Sequence, residues 1–161
     1  YNLFLKENKI PERINQLLSY TFPDTSLRFD LTQDGRILFK VFEGNLELSS
    51  PSISDGFYKF LTILTALESK PSLLVEDEVE NSLHAEILRI IIGELKTSEC
   101  NVILTTHSPV VVDLVKPEDL ILVDKGGEGT NFKRIEKPEV VRKQLSERGI
   151  TLSDRWLYGK L

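Results

Sequence analysis

Ser72-Leu73-Leu74-Val75-Glu76-Asp77-Glu78-Val79-Glu80-Asn81-Ser82-Leu83-His84 is the stretch on which the fold turns. A short apolar run, Ser72 to Val75, suits a buried strand. It leads directly into Glu76, Asp77, Glu78 and Glu80, four acids within five residues. In open α/β sheets, ligands bind outside the carboxyl ends of the strands. A carboxylate placed there can hold Mg²⁺ beside nucleotide phosphates. The next carboxylate can orient or deprotonate an attacking water. Four such groups repel one another, so the cluster is costly unless a cation or solvent relieves it. A solvated acidic loop is the competing reading of the same residues.

The chain on either side alternates helices and strands. Upstream, Ile10, Ile14, Leu17 and Leu18 have helical spacing, and Phe22-Pro23-Asp24 stops that helix. Leu27, Phe29 and Leu31 alternate with polar residues, Asp34-Gly35 signals a hairpin, and Ile37, Phe39 and Val41 alternate again. A polar linker, Leu48 to Ser52, precedes an amphipathic helix over Asp55 to Glu68. Downstream, Leu83 to Leu95 is expected to be helical and Asn101 to Thr105 a second buried strand. A short helix follows from Pro109 to Val115, with Pro in its first turn. Leu120 to Val123 and Asn131 to Ile135 read as a hairpin around Gly126-Gly127-Glu128-Gly129, a loop that opens no helix and so lacks a phosphate cradle. Pro138 to Arg148 reads as a final helix stopped by Gly149. The pattern predicts an α/β fold: a mainly parallel sheet with flanking helices, plus an antiparallel hairpin near the N-terminus.

Two further segments could carry chemistry. Ile53-Ser54-Asp55-Gly56-Phe57 opens a helix, whose free N–H groups and positive dipole end favour an anion. Its simpler reading is a cap supplied by Ser54 or Asp55, with Gly56 incidental. Asn101 to Pro109 runs a strand into Thr105-Thr106-His107-Ser108. The His107 imidazole could hydrogen-bond a terminal phosphate or a nearby water; its simpler reading is a structural hydrogen bonder. His84, the other histidine, shares no motif with His107, so zinc is not suggested.

Composition narrows the classes. With 161 residues, 40% hydrophobic and 28% charged, the chain can build a core and is neither disordered nor collagenous. No run of 18 apolar residues exists, so no membrane partner is expected. Tyr1 to Pro11, with Lys6, Glu7 and Lys9, does not read as a secretory signal. Cys100 is the only cysteine, which makes a reducing, cytoplasmic setting the default. A net charge of −5 weakens, without excluding, a general nucleic-acid binder, because phosphate binding needs clustered positive charge. Lys133, Arg134, Lys137, Arg142 and Lys143 form a basic stretch diluted by Glu136, Glu139 and Glu147, and read as a solvated face. The chain starts at Tyr1 and has no methionine, so it is expected to be part of a longer protein.

The order and spacing of the three segments resemble the C-terminal lobe of an ABC-class ATPase, in the soluble branch of SMC-type, RecF-like and AAA-type ATP-binding proteins. Ser54-Asp55-Gly56 is similar to the signature motif and Leu73 to Glu78 to Walker B. Glu80 to His84 is similar to the D-loop, His107 to the switch histidine, and Gly149 to Leu161 to the closing segment. The resemblance covers about residues 26 to 161 and implies a P-loop NTPase fold with ATP and Mg²⁺ as cofactors. It implies that Asp77 helps hold Mg²⁺, Glu78 polarises the attacking water and His107 contacts the γ-phosphate region. It further implies that Ser54, Asp55 and Gly56 reach ATP held on a second subunit. Asn81 and Ser82 would lie at the seam of an ATP-dependent homodimer.

The sequence departs from the family pattern in three ways. Glu76 ends the strand where an apolar residue is usual, which opens a second register with Glu76 at the metal and Asp77 as base; the spacing to Glu80 and Leu83-His84 favours Asp77 and Glu78. Val79 and Ala85 stand where proline is common. Most consequentially, no G-x-x-x-x-G-K-[ST] occurs, and Gly159-Lys160 lacks the earlier glycine. The expected organisation is therefore one partial domain: a helix and antiparallel region over 1–52 and a signature, Walker B and switch-histidine lobe over 53–161. An N-terminal P-loop lobe of the same protein is its implied partner, and the chain alone is expected to be inactive. Two other classes remain open: a nucleotide-gated scaffold module without hydrolysis, and a metal-dependent nuclease using the acidic cluster. The downstream process and any nucleic-acid partner are not written in these residues, and no heptad run suggests a long coiled-coil arm.

Overall fold

A computed structural model of the chain describes residues 10–127, 129–159 and 161. The residues read as lacking a signal, up to Lys9, lie outside this set, as do Glu128 of the expected turn and Lys160 of the Gly159-Lys160 pair. The chain forms two compact units, Tyr1–Leu104 and Thr105–Leu161.

In the first unit, α1 (Glu12–Thr21) buries Ile14 and Leu18, one turn apart on one face. It leads into a three-stranded antiparallel sheet, β1 (Thr25–Leu31), β2 (Ile37–Glu43) and β3 (Leu46–Leu48). Leu27 pairs with Val41 and Phe29 with Phe39, so the inward set runs in register across the hairpin. On the other face Lys40 lies 3.1 Å from Asp30 and 3.5 Å from Glu47. The strand β3 falls just before and into the stretch read as a polar linker; three residues are too few to show a period. A 3₁₀ turn (Ser50–Ser52) then delivers α2 (Asp55–Glu68).

Helix α2 buries Gly56, Phe57, Phe60, Ile63 and Leu64. Phe22 meets Phe57 and Phe60 edge-on, with ring centroids 5.2 and 5.5 Å apart, closing α1 onto α2. The chain continues through β4 (Leu73–Glu76), α3 (Ala85–Thr97) and β5 (Asn101–Leu104). β4 and β5 pair in parallel, Leu73 with Asn101 through Glu76 with Leu104, so the strand–helix–strand reading holds. Helix α3 starts two residues later than the spacing predicts. The Leu83 N–H instead donates to the Glu80 carbonyl in a turn, and His84 becomes the N-cap.

These two strands were expected to be buried, and they are buried on one face at most. Leu73, Val75 and Ile103 are 49%, 61% and 57% exposed, whereas Leu74, Val102 and Leu104 are half-buried. Parallel strands normally have both faces covered.

The second unit holds α4 (Pro109–Leu114), a 3₁₀ turn (Pro117–Asp119), the antiparallel hairpin β6 (Ile121–Gly126) and β7 (Gly129–Arg134), then α5 (Pro138–Arg148) and α6 (Leu152–Leu157). Its core is Val112, Val141 and Leu152, with Leu120, Ile135, Leu145, Trp156 and Leu161 packed around them. Gly149 sits at φ +61° and ends α5, the left-handed position that favours glycine. Asp113 ties α4 to α6: its carboxylate accepts from the Ser153 N–H at 2.7 Å and from the Ser153 hydroxyl at 2.8 Å. Asp113→Ala is expected to destabilise this unit by about 1–2 kcal/mol, the loss of hydrogen bonds to a charged acceptor near the surface. Thermal unfolding checks it; an unchanged midpoint means the tie contributes nothing. Among the described residues no helix is long and apolar enough to cross a membrane.

Candidate functional site

The start of α2 is capped as the simpler reading of its sequence requires. Ser54 is the N-cap, and its Oγ accepts from the Phe57 N–H at 3.2 Å. Asp55 lies in the first turn, where a carboxylate offsets the helix dipole. Gly56 is not incidental. A Cβ there would stand 2.3 Å from the backbone oxygen of Ser82, so only glycine fits. The Ser-Asp-Gly start of α2 is thus in direct backbone contact with the segment resembling the D-loop.

That segment is a tight turn off the end of β4. Glu78 and Ser82 both adopt positive φ, +46° and +63°, a conformation costly for residues other than glycine. The Glu78 carbonyl accepts from the Asn81 N–H at 3.0 Å, and the Glu80 carbonyl from the Leu83 N–H at 3.0 Å. The Asn81 side-chain amide donates to Glu78 Oε2. Val79 is fully buried and anchors the turn, while Asp77 and Glu78 are exposed.

Sequence reasoning missed Lys59. Its Nζ lies 3.1 Å from Glu76 Oε1 and donates to the Glu78 carbonyl at 2.8 Å. Both side chains of the ion pair are largely covered, 18% and 24% exposed. A cation therefore relieves the first of the four clustered acids, the role anticipated for a metal or solvent. The one available signal was a lysine three residues after Gly56, on the same helical face.

The first unit thus brings together Ser54, Asp55 and Gly56 with Asn81 and Ser82, and with Glu76, Asp77 and Glu78. His107 belongs to the second unit. It is exposed and follows Thr106, whose Oγ1 accepts from the Ser108 N–H at 2.9 Å, just before Pro109 opens α4.

Among the described residues no three His, Cys, Asp or Glu side chains cluster as a metal site. An all-protein cage is therefore not the fit. The exposed Asp77 carboxylate suits the other mode of Mg²⁺ binding, in which one or two carboxylates share the ion with phosphate oxygens and water.

A mixed α/β lobe with a parallel β4–β5 pair and a signature-like helix start beside an acidic strand end has the fold of SMC-type ATPase heads, a P-loop NTPase fold. One solved structure, described as "Structural biochemistry of ATP-driven dimerization and DNA stimulated activation of SMC ATPases", matches with a TM-score of 0.65 and 18% identity, over 91% of this chain and 95% of that one. The Smc head domain with a coiled coil and joint from Pyrococcus yayanosii matches with a TM-score of 0.63 and 18% identity, over 92% of this chain and 31% of that one. No curated protein matches. The model of the family described as "AAA domain, putative AbiEii toxin, Type IV TA system" matches residues 4–113. The chain belongs to that family, and with it to the AAA-type ATPases.

Proposed function

We propose that this chain is the C-terminal, signature-bearing half of an ATP-binding and ATP-hydrolysing ABC-class ATPase that works as a nucleotide-sandwiched homodimer. The observation that carries the reading is the backbone contact between Gly56 and Ser82. It makes the helix start, the D-loop-like turn and the acidic strand end one mechanical piece. The roles are those that the resemblance to the ABC-class lobe implies, and each group's chemistry is compatible with its role. The Ser54 oxygen already accepts from Phe57, and its hydroxyl proton can be donated to a phosphate oxygen of ATP on the other subunit. Asp55 contributes its N–H there, since phosphate repels its carboxylate. Asn81 and Ser82 line the seam. Glu78 orients the attacking water and receives its proton, with Oε2 steadied by Asn81. His107, as the counterpart of the switch histidine, would contact the γ-phosphate region. Asp77 takes the metal; Mg²⁺, when bound, neutralises charge on the phosphates.

The Lys59–Glu76 ion pair supports the register with Asp77 at the metal, because it engages Glu76 on the α2 side. The exposed face of Leu73, Val75 and Ile103 supports a second lobe carrying the P-loop, which would cover it. On this reading residues 1–161 are one part of a two-lobe domain. The chain alone is expected to show no useful Mg²⁺-dependent ATP turnover, and turnover is expected when it is joined to the P-loop lobe. Phosphate release measured on both preparations decides it. Robust hydrolysis by the chain alone would sink the two-lobe reading.

A further inference from the structure

We propose that Lys59 is a positioning residue for the Glu78 carboxylate, acting through the Glu78 backbone carbonyl rather than by neutralising Glu76. The site it serves is the one proposed above. Lys59 projects from α2 on the face that carries Gly56, and its ammonium makes two contacts across the turn, 2.8 Å to the Glu78 carbonyl and 3.1 Å to Glu76 Oε1. The Glu78 carbonyl thus has two donors, Lys59 Nζ and the Asn81 N–H. Both hold Glu78 at φ +46°, a conformation that a glutamate does not keep without help. The direction of the Glu78 side chain is set by that backbone, and Asn81, the second donor, also holds its Oε2. Removing the ammonium takes one of these two donors from the Glu78 carbonyl and loosens the hold on Glu78 at its positive φ. A lysine that only balanced the charge of Glu76 would be dispensable once Glu76 was neutral. That difference separates positioning from charge compensation.

The test uses the full protein containing the P-loop lobe, with Lys59→Met, Lys59→Arg, Glu76→Gln and the double variant Lys59→Met/Glu76→Gln. Two readouts are taken: steady-state ATP turnover, and hydrogen exchange at the Asn81 amide. Lys59→Met is expected to lower kcat by about 10- to 100-fold with KM for ATP little changed, as a small misplacement of a reacting group does. Asn81 exchange is expected to speed up about tenfold, since the bond it reports is loosened. The double variant is expected to stay slow in turnover and fast in exchange. Glu76→Gln alone and Lys59→Arg, which keep a donor for the Glu78 carbonyl, are expected near wild type. Restoration by the double variant, or unchanged kcat and exchange in Lys59→Met, overturns the proposal. If the wild-type protein hydrolyses no ATP, the functional reading fails on its own. The exchange comparison between Lys59→Met and the double variant still decides whether Lys59 holds the turn.

Discussion

Glu78→Gln is expected to reduce ATP turnover by about 10²- to 10⁴-fold, the usual contribution of a positioned general base. The substitution keeps the size of the side chain and an oxygen that can accept from Asn81, so the turn over Glu78–Ser82 should persist. What is lost is the capacity to take a proton from water. Binding of ATP does not need that capacity, so the variant is expected to accumulate as an ATP-bound dimer. Phosphate release and light scattering, both on protein that includes the P-loop lobe, provide the check. Turnover close to wild type would remove Glu78 from the reaction and return the base to Asp77. A nucleotide-gated scaffold gives a different outcome, because it has no turnover to lose.

Gly56→Ala is expected to be the most damaging single-methyl change in the first unit, at about 3 kcal/mol, the upper end of the usual overpacking range. The added Cβ would stand 2.3 Å from the Ser82 oxygen, and the obstacle is backbone, which cannot rotate away. Ser82 is itself at φ +63°, so the turn has little freedom to retreat. The midpoint of thermal unfolding should fall on the order of 10 °C, taking a few degrees per kcal/mol for a chain of this length. Gly93 is the internal control. It lies in the interior of α3 with nothing within 4 Å of the equivalent position, and Gly93→Ala is expected to stabilise by about 0.5–1 kcal/mol. If the two alanine variants melt alike, the close approach of α2 to the turn is not a constraint.

The elements with strong punctuation were legible in the sequence. Pro138 at the first turn and Gly149 past the last fix α5 at both ends, and the periodic apolar residues of Asp55–Glu68 give α2 its full length. The Asp34-Gly35 hairpin follows for the same reason. The elements that escaped are short. β3 has three residues, and α6 has six, although its Thr151–Asp154 capping box was a readable signal. Within the site, the acidic strand end and the helix start were visible because each is a contiguous motif. Lys59 was not, because its partners Glu76 and Glu78 lie 17 and 19 residues away, and only packing sets the distance. The same limit explains the expected burial of β4 and β5: an apolar run shows that a strand wants covering, not which polypeptide does it.

That uncovered surface has a practical consequence for handling the protein. Leu73, Val75 and Ile103 sit on a ribbon that, among the described residues, has only two strands, so its edges can template pairing with another strand. Such a ribbon is a template for self-association at the concentrations of purification. On the proposed two-lobe reading, co-production with a lobe carrying the P-loop should raise the yield of dispersed material, and charged substitutions at Val75 or Ile103 should improve colloidal behaviour of the chain made by itself while weakening its association with such a lobe.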